Sequence, residues 1–147
     1  PYHNAPLYYS AAITKKRSVD QSITQHFAAG VPLNRQVMGV PLYGHGTDPY
    51  KEDVKFNEMA GIFSSSKYEG KNIRKWDSVA KVPYLVDESG NFLLGYDDQE
   101  SVTFKGQYVV QKNLLGAMFW EYRHDDSQGT LRKALCKAIY GSESTTK

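Results

Sequence analysis

Hydrophobic residues recur at helical spacing near both ends of the chain. The first helix is predicted to begin at Ser18, where Gln21 completes a capping box, and to end at Gly30. Its apolar stripe consists of Val19, Ile23 and Phe27. A last helix is predicted between Gly129 and Gly141. Its apolar face consists of Leu131, Ala134, Leu135, Ala138 and Ile139, so both helices are amphipathic and are expected to cover a sheet.

Two other runs are largely apolar without alternation. They comprise residues 36–44 and residues 115–120, and a strand that is covered on both of its faces carries such a pattern. Because Pro41 cannot donate to a strand ladder, we expect it near the end of the first strand. Strands of this kind that alternate with amphipathic helices predict a parallel sheet.

The part of the chain between these two runs has a different pattern. Residues 45–55 are polar and predict a loop, and a short helix is expected after them. This helix is indicated by Phe56, Met59, Ala60 and Phe63. Three short extended segments then follow, at residues 72–76, 83–86 and 92–96, with turn residues between the last two. Either Asp97 or Asp98 is expected to cap the next helix, and the whole stretch predicts an antiparallel excursion from the parallel sheet.

Composition excludes several classes of protein. The 147 residues are 40% hydrophobic, which excludes general disorder, and a net charge of +2 without charged blocks argues against a nucleic-acid or membrane-surface protein. The apolar run at residues 114–120 is too short to span a bilayer. A single cysteine, Cys136, excludes an internal disulfide or a cysteine-based zinc site, and it is interpreted as a packed thiol. The chain opens on Pro1, which suggests an excised or processed piece, and residues 142–147 are expected to fray.

The length of the chain does not accommodate a complete α/β barrel. Such a barrel needs about 250 residues. The two apolar runs are roughly 70 residues apart, which leaves space for an insertion of roughly 40–50 residues between them. Two parallel strands cannot close a barrel by themselves, so the other strands are expected to lie outside this chain.

Several short segments share their order and spacing with the C-terminal part of family-18 glycoside hydrolases, the chitinase family. Residues 3–8 resemble the segment after the sixth barrel strand, residues 37–44 the seventh strand, and residues 115–121 the eighth. The resemblance to the chitinase insertion domain and its following helix is carried by Trp76-Asp77, Pro83-Tyr84-Leu85, Tyr96-Asp97-Asp98, Ser101, Lys105 and Tyr108. It implies an α/β fold, the C-terminal part of a (β/α)8 TIM barrel from the sixth-strand exit to the last helix, with a small inserted α+β domain.

The same resemblance implies a division of the chain and an activity. Residues 1–45 and 98–147 are expected to belong to the barrel, and residues 46–97 to the chitinase insertion domain. Family members hydrolyse β-1,4-linked N-acetylglucosamine polymers by a retaining, substrate-assisted mechanism. Their catalytic glutamate ends a DxxDxDxE motif, and none of the 16 carboxylates here has that spacing. We therefore expect no catalytic residue in this chain, whose catalytic acid would lie outside it.

Three residues are predicted to bind the substrate. Strand alternation places Trp120 at the C-terminal end of the second apolar run, on the same side as Gly116 and Met118, and the resemblance makes it the floor of the subsite for the reacting sugar. Tyr43 lies near the end of the first apolar run, on the same side as Gly39 and Pro41, and could donate a hydrogen bond to the sugar or to the catalytic carboxylate. His45 follows at a position where many family members have arginine. The alternatives are a core tryptophan, a core tyrosine and a loop histidine without function.

The other polar and aromatic residues have simpler interpretations. No metal or cofactor is expected, because the histidines lack metal-ligand spacing. The acidic pairs Asp97-Asp98 and Asp125-Asp126 are expected to cap helices, and Glu121 has the wrong strand parity for catalysis. The insertion aromatics are expected to form its core rather than to contact distant sugars; they are Trp76, Tyr84 and Tyr96.

Four functional hypotheses remain open from the sequence. The first is the C-terminal part of a secreted, extracellular chitinase, which is inactive without its N-terminal part. The second is a chitinase-like lectin that binds chitooligosaccharides without cleaving them. The third is a related branch that acts on another N-acetylglucosamine substrate, and the fourth is an autonomous structural module. The expected partners are chitin or its oligosaccharides and the N-terminal part of the same barrel, but neither nucleic acid nor membrane.

Overall fold

The computed structural model describes residues 1–13, 17–51, 53–64 and 71–141, so the predicted tail at residues 142–147 lies outside the described part. Within these residues the chain forms four α-helices and seven strands. The helices are α1 (Val19–Ala28), α2 (Met59–Ser64), α3 (Gln99–Gln111) and α4 (Thr130–Tyr140). The strands are β1 (Val37–Pro41), β2 (Tyr43–Gly46), β3 (Val54–Lys55), β4 (Ile73–Asp77), β5 (Val82–Val86), β6 (Phe92–Gly95) and β7 (Gly116–Trp120).

The two apolar runs form a parallel pair, as predicted. Strand β1 pairs with β7 in a register that runs from Val37 opposite Gly116 to Pro41 opposite Trp120. Pro41 is the last residue of its strand, where its missing N–H costs no ladder bond. A hydrophobic core fills one side of this pair and contains side chains from α1, α3 and α4.

Within this chain only one face of these strands is buried, and burial of the second face stays a prediction for the complete barrel. Met38 and Val40 are buried against the helices, whereas Val37 is 48% exposed and Met118 is 50% exposed. The three helices cover only one face of the pair. The exposed residues of β1 and β7 lie on the other face. An apolar face is therefore left open to solvent, which is uncommon for side chains of this size.

The predicted strand at residues 36–44 is in fact two strands in different sheets. Strand β2 belongs to a second, five-stranded antiparallel sheet with the order β3-β2-β6-β5-β4. The break follows Pro41, and the N–H of the next residue, Leu42, donates to the carbonyl of Trp120 at 2.8 Å. Gly46 allows β2 to join the second sheet, because a Cβ atom there would lie 1.9 Å from the Leu93 carbonyl oxygen. The loop predicted at residues 45–55 is consequently wrong at the end of β2 and at β3.

The five-stranded sheet has a hydrophobic core of its own. Its buried members are Tyr50, Val54, Met59, Leu85, Leu94 and Tyr96. Helix α2 and the antiparallel pairing of β4, β5 and β6 agree with the sequence-based expectations for this part. Tyr96 is a core residue, as predicted, while Trp76 and Tyr84 are half-buried. The domain boundaries at residues 45/46 and 97/98 stay a prediction, and the sheet itself begins at Tyr43.

The predicted start of α1 is confirmed. Ser18 and Gln21 form both hydrogen bonds of a capping box, at 3.2 and 3.0 Å. The prediction that Phe27 belongs to the apolar stripe is wrong, since this residue is 55% exposed. It lies near the end of the helix, where it does not reach the core. No helix in the described part of the chain is long and apolar enough to cross a membrane.

Three of the four paired aspartates bind the starts of helices, and Asp126 does so by accepting from the Thr130 N–H at 3.0 Å. Asp98 caps α3 by accepting from the N–H groups of Glu100 and Ser101, and Asp125 accepts from two N–H groups in the first turn of α4. Asp97 does not cap a helix, so of the two residues expected at this cap only Asp98 has that role. Its side chain is fully buried and forms an ion pair with the equally buried Lys105, because its position before the cap directs it into the protein.

Candidate functional site

A small cleft of about 290 Å³ lies at the C-terminal ends of the parallel strands. It is lined by Asn4, Ala5, Gly39, Val40, Pro41, Tyr43, Met118 and Trp120. Because the register pairs Pro41 with Trp120, both strands reach this edge together. Active sites of α/β barrels lie at the same edge of their sheets.

Trp120 is a large, exposed apolar residue in the lining of this cleft. Its side chain is 61% exposed, on the uncovered face of β7 that also carries Met118. The neighbouring Phe119 is half-buried against the helices on the other face. The indole therefore points away from the helices and is open to a ligand. The peptide bond between Trp120 and Glu121 is cis.

Tyr43 lies beside Trp120 in the cleft and is held from two sides. The Asn4 side-chain amide donates to the Tyr43 carbonyl at 3.0 Å. The Tyr43 ring packs edge-to-face on the His124 ring, with centroids 6.0 Å apart and an interplanar angle of 86°. The sequence interpretation placed Tyr43 at the end of a barrel strand, but the residue begins β2 of the other sheet. The cleft thus combines side chains from both sheets.

His45 lies two residues further along β2 but does not line the cleft. Its side chain is exposed, and its Nδ1 atom lies 3.2 Å from Asp53 Oδ1. The structure thus brings Tyr43 and Trp120 together and leaves His45 outside their immediate surroundings. Its role in binding stays a prediction.

The N-terminal segment contributes Asn4 and Ala5 to the cleft, and sequence reasoning missed both. The segment is anchored by His3, which is 3% exposed and whose Nε2 atom lies 3.0 Å from Asp77 Oδ2. It crosses the five-stranded sheet over Gly95, where a Cβ atom would lie 2.9 Å from the Asn4 nitrogen. No hydrophobic periodicity marks such a segment, and the only signal in the sequence was the family resemblance of residues 3–8.

Burial and hydrogen bonding shift the pKa values of this anchoring pair. Burial lowers the pKa of His3, and the opposing influence of Asp77 does not restore it. Burial raises the pKa of Asp77, but hydrogen bonds from the Ala80 N–H and from His3, among others, outweigh it and leave the pKa lowered. At neutral pH the anchor is therefore a neutral imidazole beside a carboxylate.

A larger and more open groove of about 770 Å³ lies elsewhere, where β4 meets the beginnings of α3 and α4. Its charged groups already bind one another, since Arg74 forms ion pairs with Asp98 and Glu100, each at 2.8 Å. We favour the smaller cleft as the functional site, because it is lined by the exposed Trp120 and by Tyr43 at the C-terminal ends of the strands. Among the described residues, no group of three or more His, Cys, Asp or Glu side chains could hold a metal ion.

Comparison with known proteins identifies the family. The model of glycosyl hydrolases family 18 matches residues 1–125 of the chain. The chain belongs to this family. Chitinase A1 of Niallia circulans is 36% identical to it, in an alignment that covers 90% of the chain and 22% of that protein.

Solved family-18 structures have the same fold over nearly the whole chain. An N-acetylglucosaminidase from Paenibacillus barengoltzii matches with a TM-score of 0.77 and 29% identity, covering 94% of the chain and 43% of that structure. Human YKL-39, described as a pseudo-chitinase with retained chitooligosaccharide binding, matches with a TM-score of 0.75 and 25% identity, covering 95% and 45%. These likenesses imply a TIM-barrel-type α/β fold, of which the chain spans less than half.

Family membership also clarifies the carboxylates. The DxxDxDxE spacing of family-18 enzymes is absent from the 147 residues. The carboxylate nearest to Trp120 in sequence, Glu121, has a side chain that is 37% exposed and lies 3.8 Å from His124 Nε2. Asp125 is engaged at the start of α4, where it also accepts from Arg132 Nε at 3.0 Å. None of these groups is offered to the cleft as a proton donor.

Proposed function

We propose that this chain is the C-terminal part of a family-18 chitinase that hydrolyses β-1,4-linked N-acetylglucosamine polymers. The observation that carries the proposal is the exposed indole of Trp120, which shares a cleft with Tyr43 at the C-terminal ends of two parallel strands. In this proposal the chain supplies the floor of the sugar site. The catalytic acid belongs to a strand outside the chain.

The open apolar face of β1 and β7 supports the proposed N-terminal partner. Val37, Met118 and Trp120 are 48%, 50% and 61% exposed on it. Further strands of the same barrel would cover the deeper side chains of this face and leave the strand ends open, because barrel interiors are filled with side chains below the active site. In this proposal the partner is the N-terminal part of the same protein, whose strands would continue the sheet of β1 and β7.

The residues of the cleft have distinct tasks in this mechanism. The indole of Trp120 stacks under the apolar face of a pyranose ring and excludes water from it. The Tyr43 hydroxyl donates a hydrogen bond to the sugar or to the catalytic carboxylate, and His45 contacts the sugar from the rim. The substrate's own acetamido oxygen attacks the anomeric carbon while the external glutamic acid protonates the leaving oxygen, and the configuration is retained. Chitin is insoluble, so the protein would act outside the cell.

A second candidate is a chitinase-like lectin. The likeness to a pseudo-chitinase with retained chitooligosaccharide binding favours it, and the cleft described here serves binding equally well. The two candidates differ at one residue outside this chain, the last position of the DxxDxDxE motif. Glutamate at that position together with release of sugar from chitin supports the enzyme, whereas another residue together with binding but no release supports the lectin.

The proposal is tested by Trp120→Ala in the intact protein that contains this chain. We expect the affinity for chitotetraose to fall about thirtyfold, since a buried tryptophan contact contributes about 2 kcal/mol. The affinity is measured by calorimetry if the intact protein does not cleave the sugar, and otherwise in a form whose DxxDxDxE glutamate is replaced by glutamine. The melting temperature should change little, because the side chain is exposed without ligand. The matched control is Phe27→Ala, which removes a similarly exposed aromatic ring near the far end of α1. Unchanged affinity in the Trp120 variant would contradict the assignment of the cleft.

A further inference from the structure

The ring of Tyr43 is positioned by a residue from another part of the chain. His124 closes the short 3-10 helix Tyr122–His124, which follows β7. Its ring meets the Tyr43 ring nearly perpendicularly, at 6.0 Å between centroids. Perpendicular aromatic pairs at this distance are favourable and define the orientation of both rings.

The backbone that carries His124 is fixed on both sides. The His124 N–H donates to the Glu121 carbonyl at 3.0 Å, and the Asn57 amide donates to the carbonyls of Arg123 and Asp125 at 2.8 and 3.4 Å. Asp125 in turn binds the first turn of α4. These bonds fix the backbone of His124, so its ring contacts the Tyr43 ring from a defined position.

We propose that His124 is a positioning residue of the sugar cleft, whose ring fixes the Tyr43 ring in the orientation that binds N-acetylglucosamine oligosaccharides. This inference rests on the proposed function, because it assigns Tyr43 to ligand binding. His124 does not line the cleft itself. It acts on the ligand only through Tyr43.

The contacts of His124 indicate that the packing of its ring, rather than hydrogen bonds of its side chain, fixes the orientation of the Tyr43 ring. Its Nδ1 atom is buried and forms no hydrogen bond within the described residues. Its Nε2 atom lies 3.8 Å from Glu121 Oε1, a long contact to a side chain that is 37% exposed, and such pairs contribute little. A phenyl ring would keep the packing on Tyr43 and would remove a buried nitrogen without a partner there, so phenylalanine is expected to replace histidine.

The test measures the dissociation constant for chitotetraose in the same non-cleaving form of the intact protein, at a temperature where every variant is folded. His124→Ala should weaken binding about twofold to tenfold, which corresponds to the usual contribution of an aromatic pair. His124→Phe should restore most of this loss. Arg123→Ala is the matched control, because it removes an exposed side chain from the same short helix, and it should bind as the unchanged protein does.

A double-mutant cycle separates positioning from general stability. In a Tyr43→Ala background, His124→Ala should weaken binding no further, because its effect passes through the missing ring. Additive losses, unchanged affinity of His124→Ala, or failure of His124→Phe to recover binding would each overturn the inference. If Trp120→Ala weakens binding while His124→Ala does not, only this inference fails. If the unchanged protein binds no oligosaccharide, the proposed function and this inference fail together.

Discussion

The two sheets of this chain differ in which of their side chains are exposed. In the parallel pair, β1 and β7 bury one face and expose apolar residues such as Val37 and Met118 on the other. In the five-stranded sheet, four of the five residues of β5 are buried, and the middle residue, Tyr84, is half-buried. The centre of the antiparallel sheet is thus covered by residues of this chain, whereas one face of the parallel pair is left uncovered.

The sheets also differ in how they use charge. The parallel pair consists only of uncharged residues, Val37–Pro41 and Gly116–Trp120. Next to the antiparallel sheet there are two buried pairs with charged groups: the neutral His3 ring binds the Asp77 carboxylate at the end of β4, and Lys105 on α3 binds Asp97, which comes shortly after β6. Buried pairs of this kind cost desolvation but define one arrangement of the segments that carry them. The antiparallel part is therefore expected to depend on its charges, and the parallel part on contacts with strands outside the chain.

The largest effect is expected from Lys105→Met. Both side chains of the Lys105–Asp97 pair are fully buried, so the substitution leaves the Asp97 carboxylate without its countercharge. We expect the intact protein to lose about 3–5 kcal/mol of unfolding free energy in urea titrations. The surface control is Lys133→Met on α4, which should change stability by less than about 0.5 kcal/mol.

A second variant makes this prediction specific for the charge. Adding Asp97→Asn to Lys105→Met removes the uncompensated carboxylate while leaving an oxygen that can accept from Ser101. Stability should then recover in part. Equal loss in the single and double variants would show that packing, rather than charge, determines the contribution of Lys105.

Met118→Ala tests the other half of the comparison. The side chain is 50% exposed in this chain, but in the proposed barrel it is covered by strands outside the chain. We expect a loss of about 2–4 kcal/mol in the intact protein, as for other truncations of buried methionine. Val110→Ala, at a 55% exposed position on α3, is the control and should have little effect. Equally small losses in both variants would mean that the face stays uncovered and that the proposed partner is wrong.

The sequence predicted the parallel pair and Trp120 because these depend on local patterns. Apolar runs identify strands, and alternation within β7 is sufficient to place Trp120 and Met118 on one face. The same pattern could not reveal that this face is open. An apolar side chain has the same identity whether its neighbour belongs to this chain or to another part of the protein.

The other half of the cleft depends on contacts between distant residues. Asn4 meets Tyr43 across 39 positions of the chain, and His124 meets it from after the last strand. The break after Pro41 depends in the same way on β6, whose Leu93 carbonyl requires a glycine at position 46. No local periodicity encodes such contacts, so the change of sheet at Tyr43 was missed.

The smallest effect is expected from the pH dependence of the N-terminal anchor. Burial lowers the pKa of His3 in the folded protein. As the pH falls below 6.5, the ordinary pKa of histidine, His3 therefore takes up a proton in the unfolded chain but not yet in the folded protein. Stability should therefore fall as the pH decreases from about 6.5 toward the lowered pKa of the folded state. Asp77 acts in the same direction at lower pH, since its lowered pKa favours the folded state above its ordinary value of 3.8, and this stabilisation is lost as the pH falls through the folded pKa.

The comparison of the unchanged protein with His3→Gln isolates the histidine. Urea midpoints are measured for both proteins at several pH values between about pH 7.5 and about pH 3. The unchanged protein should lose more stability over this range than the variant, because glutamine takes up no proton in the unfolded state. Both should lose stability again in the range where Asp77 becomes protonated. A parallel decline of the two proteins over the histidine range would mean that His3 does not titrate differently on folding, and that the anchor depends on hydrogen bonding alone.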